Sequence, residues 1–256
     1  LKEHLLTSPP SAQNVLDVFS GEWSSMMPPE SGLRSEPGPS PLFDDARIQW
    51  ADDQLGFSNK TILELGPLEG AHTHMMERLG ASSITSIESN TRAFLKCLCV
   101  KEIFDLRKSR FLLGNFMPFL ATCGDYDVIV ASGVLYHMTE PLRLLQLISE
   151  HSDHVFIWTH YFDRDIIEAR FDRHLFSTPE KIEGSDVVGT RRVYDQVALD
   201  WDGFSGGVAP YAIWLEKSSI VNFFEQSGFN VTVGFELPEA ANGPAFALCA
   251  RKDGAP

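Results

Sequence analysis

Cysteine is scarce in this chain: four residues in 256, Cys97, Cys99, Cys123 and Cys249, with no CxxC pair. That spacing speaks against a paired-cysteine zinc site or a disulfide scaffold, and the thiols read as reduced. No apolar run reaches the ~18 residues of a membrane span, and the opening LKEHLLTSPP holds no long apolar signal region. The expected location is the cytoplasm, with no membrane partner. Basic charge is also short, with 21 Lys and Arg against 35 Asp and Glu, a net −14. Such a surface repels phosphate backbones and anionic bilayers, so nucleic acid is disfavoured as a partner. Internal repeats are absent, and the acid pairs Asp44–Asp45 and Asp52–Asp53 read as helix faces, so no metal site is expected. What is there is ordinary globular composition, 43% hydrophobic and 22% charged, enough for one well-cored domain with additions or two small ones.

The period of the hydrophobic residues changes along the chain. Residues 11–19 suit a short helix capped by Ser11, and the five prolines of MMPPESGLRSEPGPSPLF are expected to exclude regular structure after it. FDDARIQWADDQLG reads as a helix closed by Gly56, so residues 1–56 form an N-terminal arm. From residue 57, apolar strands (61–65, SITSIE to Glu88, RFLLGN, YDVIVAS, HVFIWTH) alternate with helical patterns, including 70–79 and TEPLRLLQLISE with Thr139 as its expected cap. The alternation predicts a parallel sheet with helices on both faces. After a helix at 216–227, FNVTVGFEL and PAFALCARK suit an antiparallel hairpin. Residues 161–215 are far longer than the ~2–6 of an ordinary connection, and so form an insertion with a functional or interface role.

The informative stretch is TILELGPLEGAH, a strand ending on an acid and a turn with Gly66 and Gly70. In an open parallel sheet, ligands bind beyond the strand ends, and glycine lets the backbone approach them. Glu88 follows Gly66 by 22 residues at the next strand tip, placed for both hydroxyls of a ribose. A dinucleotide fits poorly, because GxGxxG is missing and Glu69 would repel a diphosphate. A nucleoside carrying an amino acid fits better, with Glu64 facing its ammonium group.

These residues resemble motif I of the Rossmann-like S-adenosyl-L-methionine-dependent methyltransferases, and the segment GVLYH followed by EPLRLLQL is similar to their tRNA wobble-uridine carboxymethyl transferase-like branch. The resemblance spans about 57–160 and 216–251 and implies an α/β fold, a mostly parallel seven-stranded sheet with a C-terminal antiparallel hairpin. It implies S-adenosyl-L-methionine as cofactor, held by Glu64, Gly66, Pro67, Gly70, Glu88 and Ser89, with Asn115 and Phe116 beside the adenine and Ser132 and Gly133 along the sulfonium. In that branch the tyrosine of LYH, here Tyr136, helps hold a carboxylated cofactor.

Methyl transfer asks mainly for positioning and exclusion of water. His137 is the candidate base, since imidazole titrates near neutrality, or else a loop or cap residue. His160 and Tyr161 end a strand on the same rim; Tyr194, Trp201 and Trp214, with Phe204 and Tyr211, lie among the insertion's glycines. His160 and Tyr161 suit orienting an acceptor or rim packing, and the insertion's aromatics suit a lid over a small ligand, a satellite hydrophobic cluster or a homodimer contact. The expected activity is methylation of a small-molecule acceptor. The alternatives are a cyclase that converts the cofactor itself and releases methylthioadenosine, and a non-catalytic cofactor-binding protein.

Overall fold

The computed structural model describes residues 5–200 and 206–254. The arm is more regular than its prolines suggest. Helix α1 (Ala12–Asp17) starts at Ser11, whose hydroxyl accepts the Asn14 N–H, and strand β1 (Trp23–Ser25) pairs in parallel with β2 (Pro37–Ser40). The expectation that five prolines exclude regular structure fails here for a simple reason. Trp23 N donates to Glu36 O and Met26 N to Ser40 O, so this edge pairs through carbonyls and no proline is asked for a hydrogen. Helix α2 (Ala46–Leu55) follows, capped by Asp45 and closed by Gly56.

The alternating core then runs β3 (Thr61–Leu65), α3 (Ala71–Arg78), β4 (Ser83–Glu88), α4 (Thr91–Ile103), β5 (Ser109–Leu113), α5 (Phe116–Leu120), β6 (Val128–Ser132), α6 (Pro141–His151) and β7 (His154–His160). Thr139 is not the cap of α6; Glu140 occupies that position without a side-chain bond, and Pro141 opens the helix where its missing N–H costs nothing. The insertion holds α7 (Arg164–Glu168), β8 (Glu180–Lys181), β9 (Val188–Val193), α8 (Gln196–Leu199) and β10 (Tyr211–Leu215). Strands β8, β9 and β10 form a small antiparallel sheet. The chain ends with α9 (Lys217–Gln226), β11 (Phe229–Leu237) and β12 (Ala245–Lys252).

The seven-stranded sheet has the order β11-β12-β7-β6-β3-β4-β5. The five strands from β7 to β5 are parallel, while β12 runs antiparallel between β7 and β11. From β3 the chain moves one way through β4 and β5, then crosses back to β6, so the switch point lies beyond the ends of β3 and β6. Alternation along β3 sends Ile62 to the α2 and α3 side and Leu63 and Leu65 to the α5, α6 and α9 side, all fully buried. Each such side chain contributes about 1.5–3 kcal/mol by leaving water. A third cluster joins the arm's Leu16, Phe19, Trp23, Met27 and Phe43 to α4 and β5.

Candidate active site

A cavity of about 460 Å³ opens at the switch point. One half of it is built from strand ends: Gly66, Pro67 and Leu68 after β3, Glu88 and Ser89 at β4, Asn115 and Phe116 after β5, Ser132 and Gly133 at β6. Gly66 has φ +66°, and a Cβ on it would stand 2.9 Å from Val134 Cγ2, so only glycine fits the turn. The Glu88 carboxylate is locked by two backbone donors, Leu68 N at 3.1 Å and Asn90 N at 2.8 Å. Burial pushes its pKa up, against those hydrogen bonds.

Two expected cofactor residues stand apart from the cavity walls. Glu64 shares its strand face with Ile62 and is buried under α3, where its Oε2 accepts from Thr73 Oγ1 and from Ser86 Oγ at 2.7 Å. Burial holds its pKa up, and it is not among the residues that line the cavity. Gly70 caps α3 with φ +80° and packs against Phe111. Glu69, which the sequence reading turned toward the ligand, also stands off the cavity lining. Its carboxylate, 1% exposed, accepts from Ser24 N at 3.0 Å, Ser25 N at 2.7 Å and Lys96 Nζ at 3.0 Å, tying the glycine turn to β1 of the arm.

The arm also supplies a wall. Asp45, at the start of α2, pairs with Arg47 and with His72 Nε2 at 2.9 Å, and the Arg47 guanidinium lies 4.3 Å from the Trp158 ring. Burial pushes the Asp45 carboxyl up, but hydrogen bonds from His72 and Arg47 outweigh it and hold the group well below the usual range. Leu42, Arg47, His72 and Trp158 all line the cavity.

At the far end are Tyr136 and His137, on a 3₁₀ turn after β6. His137 Nδ1 lies 2.8 Å from the Tyr194 hydroxyl, which the end of β9 carries in from the insertion. Burial, with the neighbouring His160 and Arg192, lowers the His137 pKa to about 3, and burial raises that of Tyr136 to about 12. Both rings are therefore neutral at physiological pH, which removes the premise that His137 titrates near neutrality. Behind them His160 stacks on Trp214 at 5.3 Å and turns Nδ1 to the carbonyl of Gly243 at 2.9 Å.

No family model matches the chain. In sequence it is similar to the tRNA U34 carboxymethyltransferases of Shewanella amazonensis SB2B, 27% identical over 107 residues, and Shewanella woodyi, 23% over 195. These matches cover 40% and 72% of this chain but only 32% and 59% of those proteins, so it spans less than two thirds of either curated relative. In structure it is similar to the N-terminal domain of EvdMO1 with SAH bound (TM-score 0.73, 20% identity, 94% of this chain and 95% of that one), a domain also crystallised in the presence of SAH and D-fucose. The magnesium protoporphyrin IX methyltransferase ChlM from Synechocystis PCC 6803 with bound SAH follows at TM-score 0.57, 11% identity, 82% of this chain and 81% of that. The chain has the Rossmann-like methyltransferase fold. The expected α/β architecture is thus the observed one.

Around this methyltransferase fold the expected residues divide. Gly66, Pro67, Glu88, Ser89, Asn115, Phe116, Ser132, Gly133, Tyr136 and His137 line one cavity. His160, Tyr194 and Trp214 form the packed layer behind Tyr136, and Tyr161 packs on Phe246 at 5.5 Å in another cluster. Trp201 and Phe204 lie outside the described residues. Sequence reading missed Arg47, His72 and Trp158; His72 stood in the quoted glycine-turn stretch, but nothing local said that α2 would lie against that turn. Among the described residues no His, Cys, Asp and Glu group could hold a metal ion, and no helix is long and apolar enough to cross a membrane.

Proposed function

We propose that this protein is an S-adenosyl-L-methionine-dependent methyltransferase that modifies a small-molecule acceptor. The observation that carries the reading is Glu88, a carboxylate fixed by two backbone N–H groups at a strand tip, facing a cavity beside a turn that tolerates only glycine. Its free lone pairs suit the two hydroxyls of a ribose. Leu68, Ile87, Phe116 and Met117 supply an apolar slot for a base. Arg47 and His72, beside the first turn of α3, suit the carboxylate of the cofactor's amino acid.

Bound there, S-adenosylmethionine supplies a methyl carbon activated by a positive sulfur. The chain's contribution is to align the acceptor with that carbon and keep water out. The arm over 1–56 and the insertion over 161–215 supply the acceptor-side walls, through Leu42 on one side and Gly206 to Ala209 on the other. A net charge of −14 supports a small acceptor rather than tRNA.

The test is incubation with S-adenosylmethionine, with and without a small-molecule extract, followed by mass spectrometry. S-adenosylhomocysteine formed only with extract is the expected result. Methylthioadenosine formed without extract would identify a cyclase instead. Calorimetry showing no binding of S-adenosylmethionine would end the reading altogether.

A further inference from the structure

The acceptor end of the cavity lies in the field of two guanidinium groups, Arg47 in its wall and Arg192 behind Tyr136 and His137. Five buried side-chain nitrogens or oxygens lack a partner among the described residues, and three of them are Trp158 Nε1, on a residue of the cavity wall, and Trp214 Nε1 and Arg192 Nε, on residues outside its lining. All three are donors sealed within the packed layer, so they bear on the ligand only through the field of the Arg192 charge. The Arg192 guanidinium lies 5.2 Å from the Trp214 ring and 5.6 Å from that of Tyr194, with no ion pair among the described residues. Of the acids lining the cavity, Glu88 belongs to the nucleoside half and Glu140 is exposed at the rim.

Two more polar atoms open into this space. Neither Tyr136 Oη nor His137 Nε2 has a partner among the described residues, and neither is sealed from the cavity. The Tyr136 hydroxyl stands 3.8 Å from where a Cβ on Gly133 would lie, which places it at the end of β6. The state of His137 Nε2 depends on Tyr194. A phenol is a stronger acid than a neutral imidazole, and the imidazole nitrogen a stronger base than the phenol oxygen. The 2.8 Å bond is therefore donated by Tyr194 to Nδ1, which leaves the ring's proton on Nε2. The contrast with His160 is direct: its Nδ1 faces only carbonyls, Gly243 O and Pro244 O, and must itself donate.

We propose that the methyl acceptor of this site is an already ionised oxygen, a carboxylate on a small molecule, which His137 holds by donating from Nε2 while Tyr194 fixes that tautomer. The inference rests on the methyltransferase reading. His137 is the catalytic residue because it touches the acceptor, and Tyr194 is the positioning residue. The acceptor oxygen forms a bond to the methyl carbon as the carbon–sulfur bond breaks and its electron pair withdraws onto sulfur. A methyl ester and a neutral thioether result, and no proton changes hands. A base is unnecessary, which agrees with an imidazole too buried to titrate near neutrality.

The test reads His137 directly, by ¹⁵N NMR of histidine-labelled protein saturated with S-adenosylhomocysteine, the resonance being assigned by its loss in His137→Gln. The expected wild-type spectrum has a protonated Nε2 that shifts with millimolar sodium formate and not with sodium chloride or D-fucose. Tyr194→Phe, which removes one oxygen, is expected to redistribute the tautomer and weaken the formate response several-fold while calorimetric binding of S-adenosylhomocysteine stays unchanged. An unprotonated Nε2, or a response to D-fucose and not to formate, would overturn the proposal in favour of a hydroxyl acceptor. A formate response seen only without S-adenosylhomocysteine would overturn it too, because the anion site would then belong to the cofactor. Failure of S-adenosylhomocysteine to bind at all would strike the underlying reading, and the tautomer of the free protein would still decide the role of Tyr194.

Discussion

The two halves of the cavity are built in different ways. The nucleoside half comes from four consecutive strand ends and uses backbone: a left-handed glycine at residue 66, and N–H groups of Leu68 and Asn90 that fix one carboxylate. The acceptor half uses side chains from segments far apart, Leu42 from the arm, Trp158 from β7, and Tyr194 behind His137 from the insertion. Backbone placed by a sheet holds its position in any chain that makes the sheet. Side chains brought together from distant segments can be exchanged one at a time, so this half can vary while the sheet stays the same.

The strongest way to break that contrast is to show that the backbone half depends on the arm. Lys96→Ala leaves the Glu69 carboxylate buried without its cation, and removing one partner of such a pair costs about 3–5 kcal/mol. Urea unfolding is expected to show a loss of that size; an unchanged midpoint would mean that the turn does not need its tether. Next in size, Glu88→Ala removes hydrogen bonds to a charged group worth about 1.5–3 kcal/mol each. Calorimetry should find S-adenosylmethionine binding weakened by about 100-fold or more, with an unaltered circular dichroism spectrum. Gly66→Ala adds left-handed strain of about 1–2 kcal/mol to a contact at 2.9 Å with Val134 Cγ2, and should lower stability and cofactor affinity together.

A smaller effect separates the halves by pH. Burial lowers the pKa of His137 to about 3 and of His74 to about 4, below the ~6.5 of an unfolded histidine. The unfolded chain therefore binds more protons in acid, so this stability is complete above pH ~6.5 and drains away toward the folded values. Stability should fall by about 1–2 kcal/mol per buried histidine between pH 6.5 and 5, and His137→Gln should flatten the profile if that ring is buried as described. The smallest change is expected at Val197, 83% exposed on α8: Val197→Ser should move stability by no more than about 0.5 kcal/mol. A larger loss would mean that the insertion's outer face is covered.

How much was legible follows the same division. The strands, the helices between them, Gly66 and Glu88 each announce themselves within a few residues, through period, turn chemistry and a fixed spacing. Glu64 lies off the cavity lining because the same period-2 alternation that identifies β3 also turns this residue to the buried face shared with Ile62 and α3. Glu69 was misread because its partners, Ser24, Ser25 and Lys96, are 27 to 45 residues away. The short strands of the arm escaped notice because proline content predicts missing donors and says nothing of carbonyls that can still accept.

The sequence by itself determined the parallel sheet, its switch point and the carboxylate at the tip of β4, because these depend on local periodicity and on the chirality of strand–helix–strand units. Only the tertiary structure decided that Arg47 lies over Trp158, that Tyr194 meets His137, and that His160 and Trp214 pack behind the cavity instead of lining it. Those contacts arise from docking the arm and the insertion onto the sheet. Docking is set by shape and burial summed over whole surfaces, which leaves no mark at any one position of the chain.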